Sequence, residues 1–385
     1  MRFPYKSDWQ KRKLNEICLF FKGNGLSKSD LSNEGFRCIL YGELYTTYKN
    51  EVISDIISKT NTTLSNPFLS RKNDLIIPGS GEDPIDIAVA RAIYQNDIIL
   101  GGDLNILRPK SNVSAAFLSY QLNGVRRYDI AKKAQGKSIV HLHNSDLKEV
   151  LVSIPTYDEQ LHIVKLLTKI DERIQTQIKI IDDCMTYRNA IVDYFFESLS
   201  SDWNRIKLSN ILKEYSELHV KDNSIVHATL SKEGVFPKTD RYDRDFLVKD
   251  EDKKYKVTHL NDICYNPANL KFGVITRNTI GDCIISPIYV TFKIENGFLP
   301  KFVELLVTRK RFISRARKYE QGTVYERMAV NSSDLLSMYV SIPSLNTQQI
   351  IVNIINNVDN KISNEKELLK LYRTQKVYLL KNMFI

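Results

Sequence analysis

The feature that most constrains this chain is a gapless internal repeat. Residues 153–196 and 341–384 align at an offset of 188 residues, and each copy opens with Ser-Ile-Pro and, after four further residues, Gln. Self-similarity on this scale indicates a duplicated structural unit. Identities include Ile154/Ile342, Pro155/Pro343, Gln160/Gln348, Ile163/Ile351, Val164/Val352, Asp171/Asp359, Ile174/Ile362 and Phe196/Phe384. The chain is therefore predicted to consist of two related halves.

Each copy predicts a short strand followed by one long helix. Alternating apolar residues (Val150, Val152 and Ile154 in the first copy) precede the proline, and about forty residues without Gly or Pro follow it. Apolar residues then recur in steps of three and four, which predicts a narrow seam that packs against another helix, as in a coiled coil. The predicted seam residues are Val164, Leu167, Ile174, Ile181, Ile355, Val358, Ile362 and Leu369. The two copies can bury their seams against each other.

Weaker echoes extend the repeat beyond the helices. Residues 8–14 resemble 202–208, Gln135-Gly136 resembles Gln321-Gly322, and 144–147 resembles 332–335. Between these landmarks the halves look unrelated. The predicted order is globular domain, helix, globular domain, helix, in which a similar frame carries dissimilar inserts.

The charge of the chain favours a polyanionic partner. Its net charge is +10 and its pI is near 9.1, which is typical of nucleic-acid-binding proteins, although a lysine-rich proteome would give the same average. Basic residues also cluster at matched positions of the two halves, in amphipathic helices predicted around 117–134 and 302–319. There Arg311, Arg315 and Lys318 share one helical face. Candidate phosphate contacts are Arg126, Arg127, Lys132, Lys133, Gln135, Gly136, Lys137, Arg309, Lys310, Arg311, Arg315, Arg317, Lys318, Gln321 and Gly322.

The glycine of each Gln-Gly pair has two interpretations. It would let backbone N–H groups approach a phosphate closely, or it would simply end the preceding helix as a C-cap. The alternative for the basic clusters is an exposed face without a ligand.

Several protein classes are disfavoured. No apolar run reaches the roughly 20 residues that span a bilayer, and the first residues do not resemble a signal peptide, so we expect a cytoplasmic protein. The five cysteines are scattered without a C-x-x-C pair, which argues against disulfides and zinc.

Catalytic motifs are present only as near misses. Residues 21–25 match the F-x-G-x-G loop of amino-methyltransferases, but the nearest partner motif, at 286–289, lacks its second proline and lies in the other half. His141 and His143 with Asp146 could be drawn as a metal site, although alternation on a strand explains the histidines better. Residues 251–253 satisfy part of a nuclease motif in a charged loop. No catalytic residue and no metal ligand is predicted.

Taken together, the chain resembles the specificity subunit of type I restriction–modification systems. The resemblance rests on the openings at 9–14 and 203–208, Gly136 and Gly322, the Ser-Asp-Leu segments and the two helix entries at 154–160 and 342–348. No one of these motifs is specific by itself, but their duplicated order covers essentially the whole chain.

The resemblance implies an α+β fold in which two mixed α/β target recognition domains alternate with two long helices, paired as an antiparallel coiled coil with a pseudo-two-fold repeat. The implied segments are 1–152 and 201–340 for the domains, and 153–200 and 341–385 for the helices. Each domain would read half of a bipartite, asymmetric sequence in double-stranded DNA. Two methyltransferase subunits would bind this chain and carry S-adenosylmethionine. Restriction subunits would join through them and use ATP and Mg²⁺, and this chain itself would hold no cofactor.

One departure leaves the helix register open. The second helix carries Lys366, Arg373 and Lys376 where the first has Ile178, Met185 and Arg188. Two rival functions also remain at this point. One is a stand-alone DNA adenine methyltransferase that uses residues 21–25, and the other is a coiled-coil adaptor that does not bind DNA.

Overall fold

The computed structural model describes residues 8–220, 224–238, 254–321 and 328–384. The chain divides into two compact units. Unit 1 comprises Met1–Ile180 with Glu365–Ile385, and unit 2 comprises Ile181–Asn364. Each long helix contributes residues to both units. The predicted domain limits at 152, 200 and 340 stay predictions.

Short strands and helices precede the first long helix. The strands are β1 (Gln10–Lys13), β2 (Cys18–Lys22), β3 (Leu31–Ser32), β4 (Phe36–Ile39), β5 (Val52–Ile53), β6 (Lys59–Thr60), β7 (Asp74–Pro78), β8 (Ser80–Gly81), β9 (Arg91–Ile93), β10 (Ile99–Leu100), β11 (Leu104–Pro109), β12 (Val140–His141) and β13 (Leu151–Ile154). The helices are α1 (Leu14–Ile17), α2 (Glu43–Thr46), α3 (Pro84–Ile87), α4 (Ala115–Asn123), α5 (Arg127–Ala131), α6 (Asn144–Lys148) and α7 (Tyr157–Ser198).

The second half repeats this plan with other elements inside it. Its strands are β14 (Asn204–Lys207), β15 (Leu212–Tyr215), β16 (Leu218–Val220), β17 (Val226–Ser231), β18 (Gly234–Pro237), β19 (Lys254–Thr258), β20 (Ile263–Tyr265), β21 (Ile275–Arg277), β22 (Cys283–Ile285), β23 (Val290–Ile294) and β24 (Tyr339–Ile342). Its helices are α8 (Pro300–Thr308), α9 (Lys310–Ala316), α10 (Ser332–Ser337) and α11 (Leu345–Asn382).

The central sheets differ between the units. In unit 1 a five-stranded sheet of order β2-β11-β7-β9-β5 packs beside a four-stranded sheet, β10-β4-β6-β3. Helix α4 is buried from Ala115 to Leu122, which suits its apolar residues on every side. Unit 2 has sheets of order β15-β23-β20-β21 and β16-β19-β22-β17-β18. The dissimilar inserts therefore fold into dissimilar sheets.

The frame around these inserts is the same in both units. Strand β1 pairs antiparallel with β13, with Gln10 opposite Ile154, and β14 pairs antiparallel with β24, with Asn204 opposite Ile342. Both pairings join an echoed opening segment to the strand that precedes a long helix. The mixed α/β fold with two long helices that was expected from the sequence is confirmed.

An aromatic cluster holds each frame to the end of a long helix. In unit 1 the ring of Trp9 lies 5.8 Å from that of Phe117 and 6.4 Å from that of Phe384. In unit 2 the ring of Trp203 lies 5.3 Å from that of Phe196 and 6.0 Å from that of Phe302. Phe196 and Phe384 are repeat equivalents, so their identity has the same packing cause in both units.

The buried glutamine of each helix entry fastens the long helix to a shorter one. Gln160 accepts a hydrogen bond from the backbone N–H of Ser114, the N-cap of α4, at 2.9 Å and donates one to the Pro155 carbonyl at 3.1 Å. Gln348 accepts one from the N–H of Leu299, the N-cap of α8, at 3.0 Å and donates one to the Pro343 carbonyl at 3.2 Å. The glutamine of the Ile-Pro…Gln motif thus links the start of the long helix to the start of the shorter helix by hydrogen bonds.

The long helices contain 42 and 38 residues, or about 60 Å each. Of the predicted seam residues, Leu167, Ile174, Ile181, Ile355 and Ile362 are buried, whereas Val164, Val358 and Leu369 are half-buried. Met185, which also fits the apolar spacing, is 45% exposed.

Charged and polar pairs set the register that the apolar pattern left open. In unit 1 the Lys376 ammonium lies 2.6 Å from Asp171, and in unit 2 Arg188 forms an ion pair with Asp359. These are the same repeat positions with the helices exchanged, since Arg188 corresponds to Lys376 and Asp171 to Asp359. The Gln177 amide also donates to the Glu365 carboxylate at 2.5 Å, and these two residues are themselves equivalent. The helices therefore run antiparallel.

The predicted continuous helices at 117–134 and 302–319 are wrong, because each is broken. Gly124 ends α4 where the Leu380 carbonyl approaches, and Arg309 adopts an extended conformation between α8 and α9. Arg311 and Arg315 do share α9, but Lys318 lies in the separate 3-10 turn Arg317–Tyr319. In the described residues, no helix is apolar over a length that would span a bilayer.

Candidate nucleic-acid interface

A cleft of about 470 Å³ in unit 2 gathers much of the predicted basic cluster. Arg311 and Arg315 lie one turn apart on α9, Arg309 immediately precedes that helix, and Arg205 projects from β14. We call these four residues the arginine cleft. The end of α7 and strand β24 close its other sides with Phe196, Glu197, Ser200, Tyr339, Val340 and Ser341.

Arg309 is the innermost of the four arginines. Its guanidinium carbon lies 4.0 Å from the centroid of the Phe196 ring, a cation–π distance. Burial lowers the pKa of Arg309 to about 10, so the side chain is still charged at neutral pH. Its Nε is buried and has no hydrogen-bond partner in the described part of the chain. The cleft thus contains a fixed, incompletely satisfied cation.

The other three arginines are held more loosely. Arg311 lies 2.9 Å from the Glu197 carboxylate, and both side chains are largely exposed. Arg315 donates to the Tyr339 carbonyl at 2.7 Å. The Arg205 guanidinium lies over the Tyr339 ring at 5.1 Å. Among the described residues, four cations therefore line this cleft with one lining carboxylate, that of Glu197, while the charge of Asp193 also acts on Arg309.

The remaining predicted residues of this half lie outside the cleft. Lys310 and Lys318 are exposed, and Arg317 pairs with Glu320 at 3.0 Å. Gln321 exchanges backbone hydrogen bonds with Ala329, and its side chain donates to Asp334 at 3.1 Å. Gly322 lies outside the described residues.

The arginines of the first half bind groups within unit 1, although the Nε of Arg126, like that of Arg309, is buried without a partner among the described residues. Arg127 donates twice to the Ile85 carbonyl, at 2.9 and 3.3 Å, and Arg126 pairs with Asp129 at 3.3 Å. Both side chains are half-buried. Lys132 and Lys137 are exposed, and Lys133 is half-buried. The matched basic clusters are therefore not matched sites: unit 1 exposes chiefly lysines, whereas unit 2 forms a cleft.

The first Gln-Gly pair forms a tight loop instead of a helix end. Gln135 and His141 exchange backbone hydrogen bonds at 2.9 and 2.7 Å, while α5 ended at Ala131. Gly136 has a φ of +135°, and a Cβ there would lie 2.0 Å from the Ile139 carbonyl oxygen. The glycine is thus required by the loop, and its alternative role as a helix C-cap is wrong.

Sequence reasoning missed the basic residues of the frame strands. Arg205 and Lys207 on β14 lie by the Tyr339 ring, at 5.1 and 5.9 Å. Lys11 and Arg12 occupy β1 and are exposed. The echoed openings at 9–14 and 203–208 contain this signal, but the repeat alone does not distinguish a ligand-binding role from a structural one.

The near-miss motif at Phe21 has a structural explanation. The Gly23 N–H donates to the Leu104 carbonyl at 3.0 Å, and the Asn24 side chain binds backbone groups of Asn66 and Phe68 at 2.9 and 3.0 Å. This loop belongs to unit 1, whereas residues 286–289 belong to unit 2.

The histidine pair and the acidic loop do not form a recognisable site. The rings of His141 and His143 stack at 6.1 Å, with His141 on β12 and His143 at the start of α6. Within residues 8–220, 224–238, 254–321 and 328–384, no group of three metal-binding side chains is arranged around one point. Residues 251–253 lie outside the described part of the chain.

Comparison with known proteins assigns the family. A family model described as the type I restriction modification DNA specificity domain matches residues 6–182 and 251–371, which is more than half of the chain. No curated protein sequence matches significantly.

Two solved structures show a similar fold. One is the crystal structure of a type I restriction–modification system S subunit from M. genitalium (16% identity, TM-score 0.58), covering 100% of this chain and 98% of that one. The other comes from work on complex assembly and conformational transition of the type I R-M system (13% identity, TM-score 0.62), with 98% of both chains covered. Together with the matched family model, the duplicated frame shows that this chain belongs to the family of type I restriction–modification DNA specificity proteins.

Proposed function

We propose that this chain reads a bipartite, asymmetric duplex DNA target for a type I restriction–modification complex and itself catalyses no reaction. The observation that carries the proposal is one frame built twice around different inserts. Strands β1–β13 and β14–β24 repeat, whereas the central sheets differ. Two copies of one frame present two reading surfaces to DNA, and different inserts recognise different bases.

The antiparallel helices set the distance between the two half-sites. Helices of about 60 Å suit half-sites that lie about one turn of duplex apart, ~34 Å, or a small multiple of it. Exposed basic residues supply affinity that does not depend on sequence, and the polar and aromatic residues of the inserts read base edges.

The partners follow from the same proposal. Two methyltransferase subunits bind this chain and hold S-adenosylmethionine, and restriction subunits, which use ATP and Mg²⁺, join through them. The complex works in the cytoplasm. Exposed apolar residues on the long helices, such as Tyr187 and Tyr194 on α7 or Leu371 and Val377 on α11, are available for such contacts.

Co-expression with a cognate methyltransferase subunit, followed by mapping of N6-methyladenine in the host DNA, tests this function. We expect methylation at one bipartite, asymmetric sequence, and none when either protein is expressed alone. Methylation by this chain alone, together with calorimetric binding of S-adenosylmethionine, would instead support the stand-alone enzyme. Failure of the complex to bind DNA at any salt concentration would support the adaptor.

Two rearrangements of the chain test separately which residues recognise the half-sites and which set the spacer length. Exchange of residues 1–152 for the corresponding domain of another member should change one half-site and leave the other and the spacer unchanged. Insertion of whole helical turns between Ile154 and Leu199, matched in α11, should change only the spacer length. A change of half-sites after the insertion contradicts the role of the helices as a ruler.

A further inference from the structure

We propose that the arginine cleft of unit 2 binds one phosphodiester group of the DNA backbone, and that Glu197 occupies this site when DNA is absent. The inference rests on the proposed DNA-reading function and assigns to it one specific contact. It concerns Arg205, Arg309, Arg311 and Arg315, which line a single cleft of about 470 Å³.

The geometry suits a phosphate group. Guanidinium groups are planar forks that donate paired hydrogen bonds to phosphate oxygens. Arg309 is fixed by stacking on Phe196 at 4.0 Å, and its buried Nε lacks a partner in the described part of the chain. A side chain that is already immobilised loses little conformational entropy when it binds. The cleft is therefore partly organised before the ligand arrives.

The charge balance favours a DNA backbone over a protein carboxylate. Four arginines line the cleft, whereas among the described residues the nearby acidic side chains are Glu197, which lines it, and Asp193, whose charge acts on Arg309. One incoming carboxylate would leave most of this positive charge uncompensated. A phosphodiester brings neighbouring phosphates with it, so a dense cluster of cations gains more from a polyanion.

Glu197 stands where the ligand is expected. Its carboxylate lies 2.9 Å from Arg311, with 43% and 65% of the two side chains exposed. Exposed ion pairs of this kind contribute little to stability, so a phosphate can replace this one at little cost. Glu197 therefore weakens DNA binding slightly and keeps the cleft neutralised in part.

Unit 1 does not offer the same site. When Phe117 is aligned with Phe302, Gly124 stands at the position of Arg309 and Ile130 at that of Arg315. Arg126, which aligns with Arg311, pairs with Asp129. Within the described residues, the cleft is thus a property of the second half, and the contact is made beside one half-site only.

The test is DNA affinity of the complex with methyltransferase subunits as a function of salt. The probes are a duplex with the mapped target and one of mixed sequence. Arg311→Gln should weaken binding to both by about tenfold at low salt, since a charge-assisted hydrogen bond is lost, and lower the salt slope by about 0.9. Glu197→Gln should strengthen binding a few-fold. Lys213→Gln, which removes one exposed charge from β15 of the same unit, is the control.

The outcomes are separable. Equal effects of Arg311→Gln and Lys213→Gln overturn the cleft assignment while leaving the DNA-reading function intact. Loss of methyltransferase subunits from the Arg311→Gln complex, with unchanged DNA affinity of the remainder, assigns the cleft to a protein partner and overturns it as well. If the wild-type complex binds neither probe, the proposed function itself fails. Circular dichroism of each variant checks that it is folded.

Discussion

The ion-pair groups around Asp171 and Asp359 occupy the same position of the repeat but have different surroundings. In unit 1, Asp171 and Glu51 face the single ammonium of Lys376, at 2.6 and 2.5 Å, and all three side chains are at most 14% exposed. In unit 2, Asp359 faces two cations, Arg188 and Lys301, and these three side chains are 21–30% exposed. In unit 1 two carboxylates thus share one ammonium, with the charge of the buried Arg91 nearby, whereas in unit 2 one carboxylate is held by two cations.

Because of this difference, the pKa values of the two carboxyl groups are shifted in opposite directions. Burial, and next to it the charge of Glu51, raises the pKa of Asp171 despite the attraction of Lys376. Burial also acts to raise the pKa of Asp359, but the hydrogen bond and charge of Arg188, with the charge of Lys301, bring it below its ordinary value. A residue kept in both copies of a repeat therefore need not contribute equally to stability, because the insert beside it determines its charge balance.

The largest expected effect comes from removing the shared cation of unit 1. Lys376→Met keeps the helix propensity but leaves Glu51 and Asp171 buried without their ammonium partner, which should destabilise unit 1 by about 3–5 kcal/mol. Hydrogen exchange of amides in unit 1, compared with those in unit 2, measures it. Lys370→Met, at an exposed site of the same helix, is the control. A cost below about 1 kcal/mol would contradict the buried-pair argument.

The corresponding change in unit 2 should cost less. Arg188→Met leaves Asp359 with Lys301 at 3.1 Å and partly in contact with solvent, so we expect a loss of about 1–2 kcal/mol. The same exchange measurement applies, with Arg173→Met at an exposed position of α7 as the control. If Arg188→Met costs as much as Lys376→Met, burial does not explain the difference between the units.

The two carboxyl groups should respond to pH with opposite signs. The pKa of Asp171 is raised, so its contribution to stability is present below the unfolded pKa near 3.8 and is lost as pH rises through the folded value. The pKa of Asp359 is lowered, so its contribution is present above 3.8 and is lost as pH falls through the folded value. In urea unfolding at a series of pH values, Asp171→Asn should abolish the first trend and Asp359→Asn the second. Trends of the same sign would refute the comparison.

The smallest expected effect on stability comes from an exposed histidine. Hydrogen bonding to Glu217, assisted by Asp282, raises the pKa of His259, whose side chain is 44% exposed. Its contribution is present below the unfolded pKa near 6.5 and is lost as pH rises through the folded value. His259→Gln should therefore lower the free energy of unfolding in urea by less than about 1 kcal/mol near pH 6, and hardly at all near pH 9. A loss independent of pH would point to packing instead.

The sequence predicted the repeated strands and long helices well, but not the register between the helices. A repeat offset and a helical period are properties of the chain order, so the strands beside residues 154 and 342 and the long helices could be found from them. The helix register could not, because it depends on pairs such as Asp171–Lys376 between residues about two hundred positions apart. In the sequence Lys376 interrupts the regular apolar seam, although in the structure it forms an ion pair with Asp171 of the other long helix.

The basic site shows a similar limit. A cluster of arginines was visible in the sequence, but composition does not distinguish Arg127, which is bound to the Ile85 carbonyl, from Arg309, which stacks on Phe196 in a cleft. After the apolar helix, Gly124 leaves room for the Leu380 carbonyl of a long helix, which would lie 2.7 Å from a Cβ there, whereas Arg309 stacks on Phe196. The role of the residue at this position can be predicted only when the end of the apolar helix is known.

The glutamines at the two helix entries have a mechanical consequence. A single carboxamide holds the first turn of a long helix and the first turn of a buried short helix, through Gln160 in one unit and Gln348 in the other. Neither helix can rotate about its start without breaking this bond. The start of each long helix is therefore fixed in its rotation relative to the short helix beside it, and a movement of either helix start must be followed by the other.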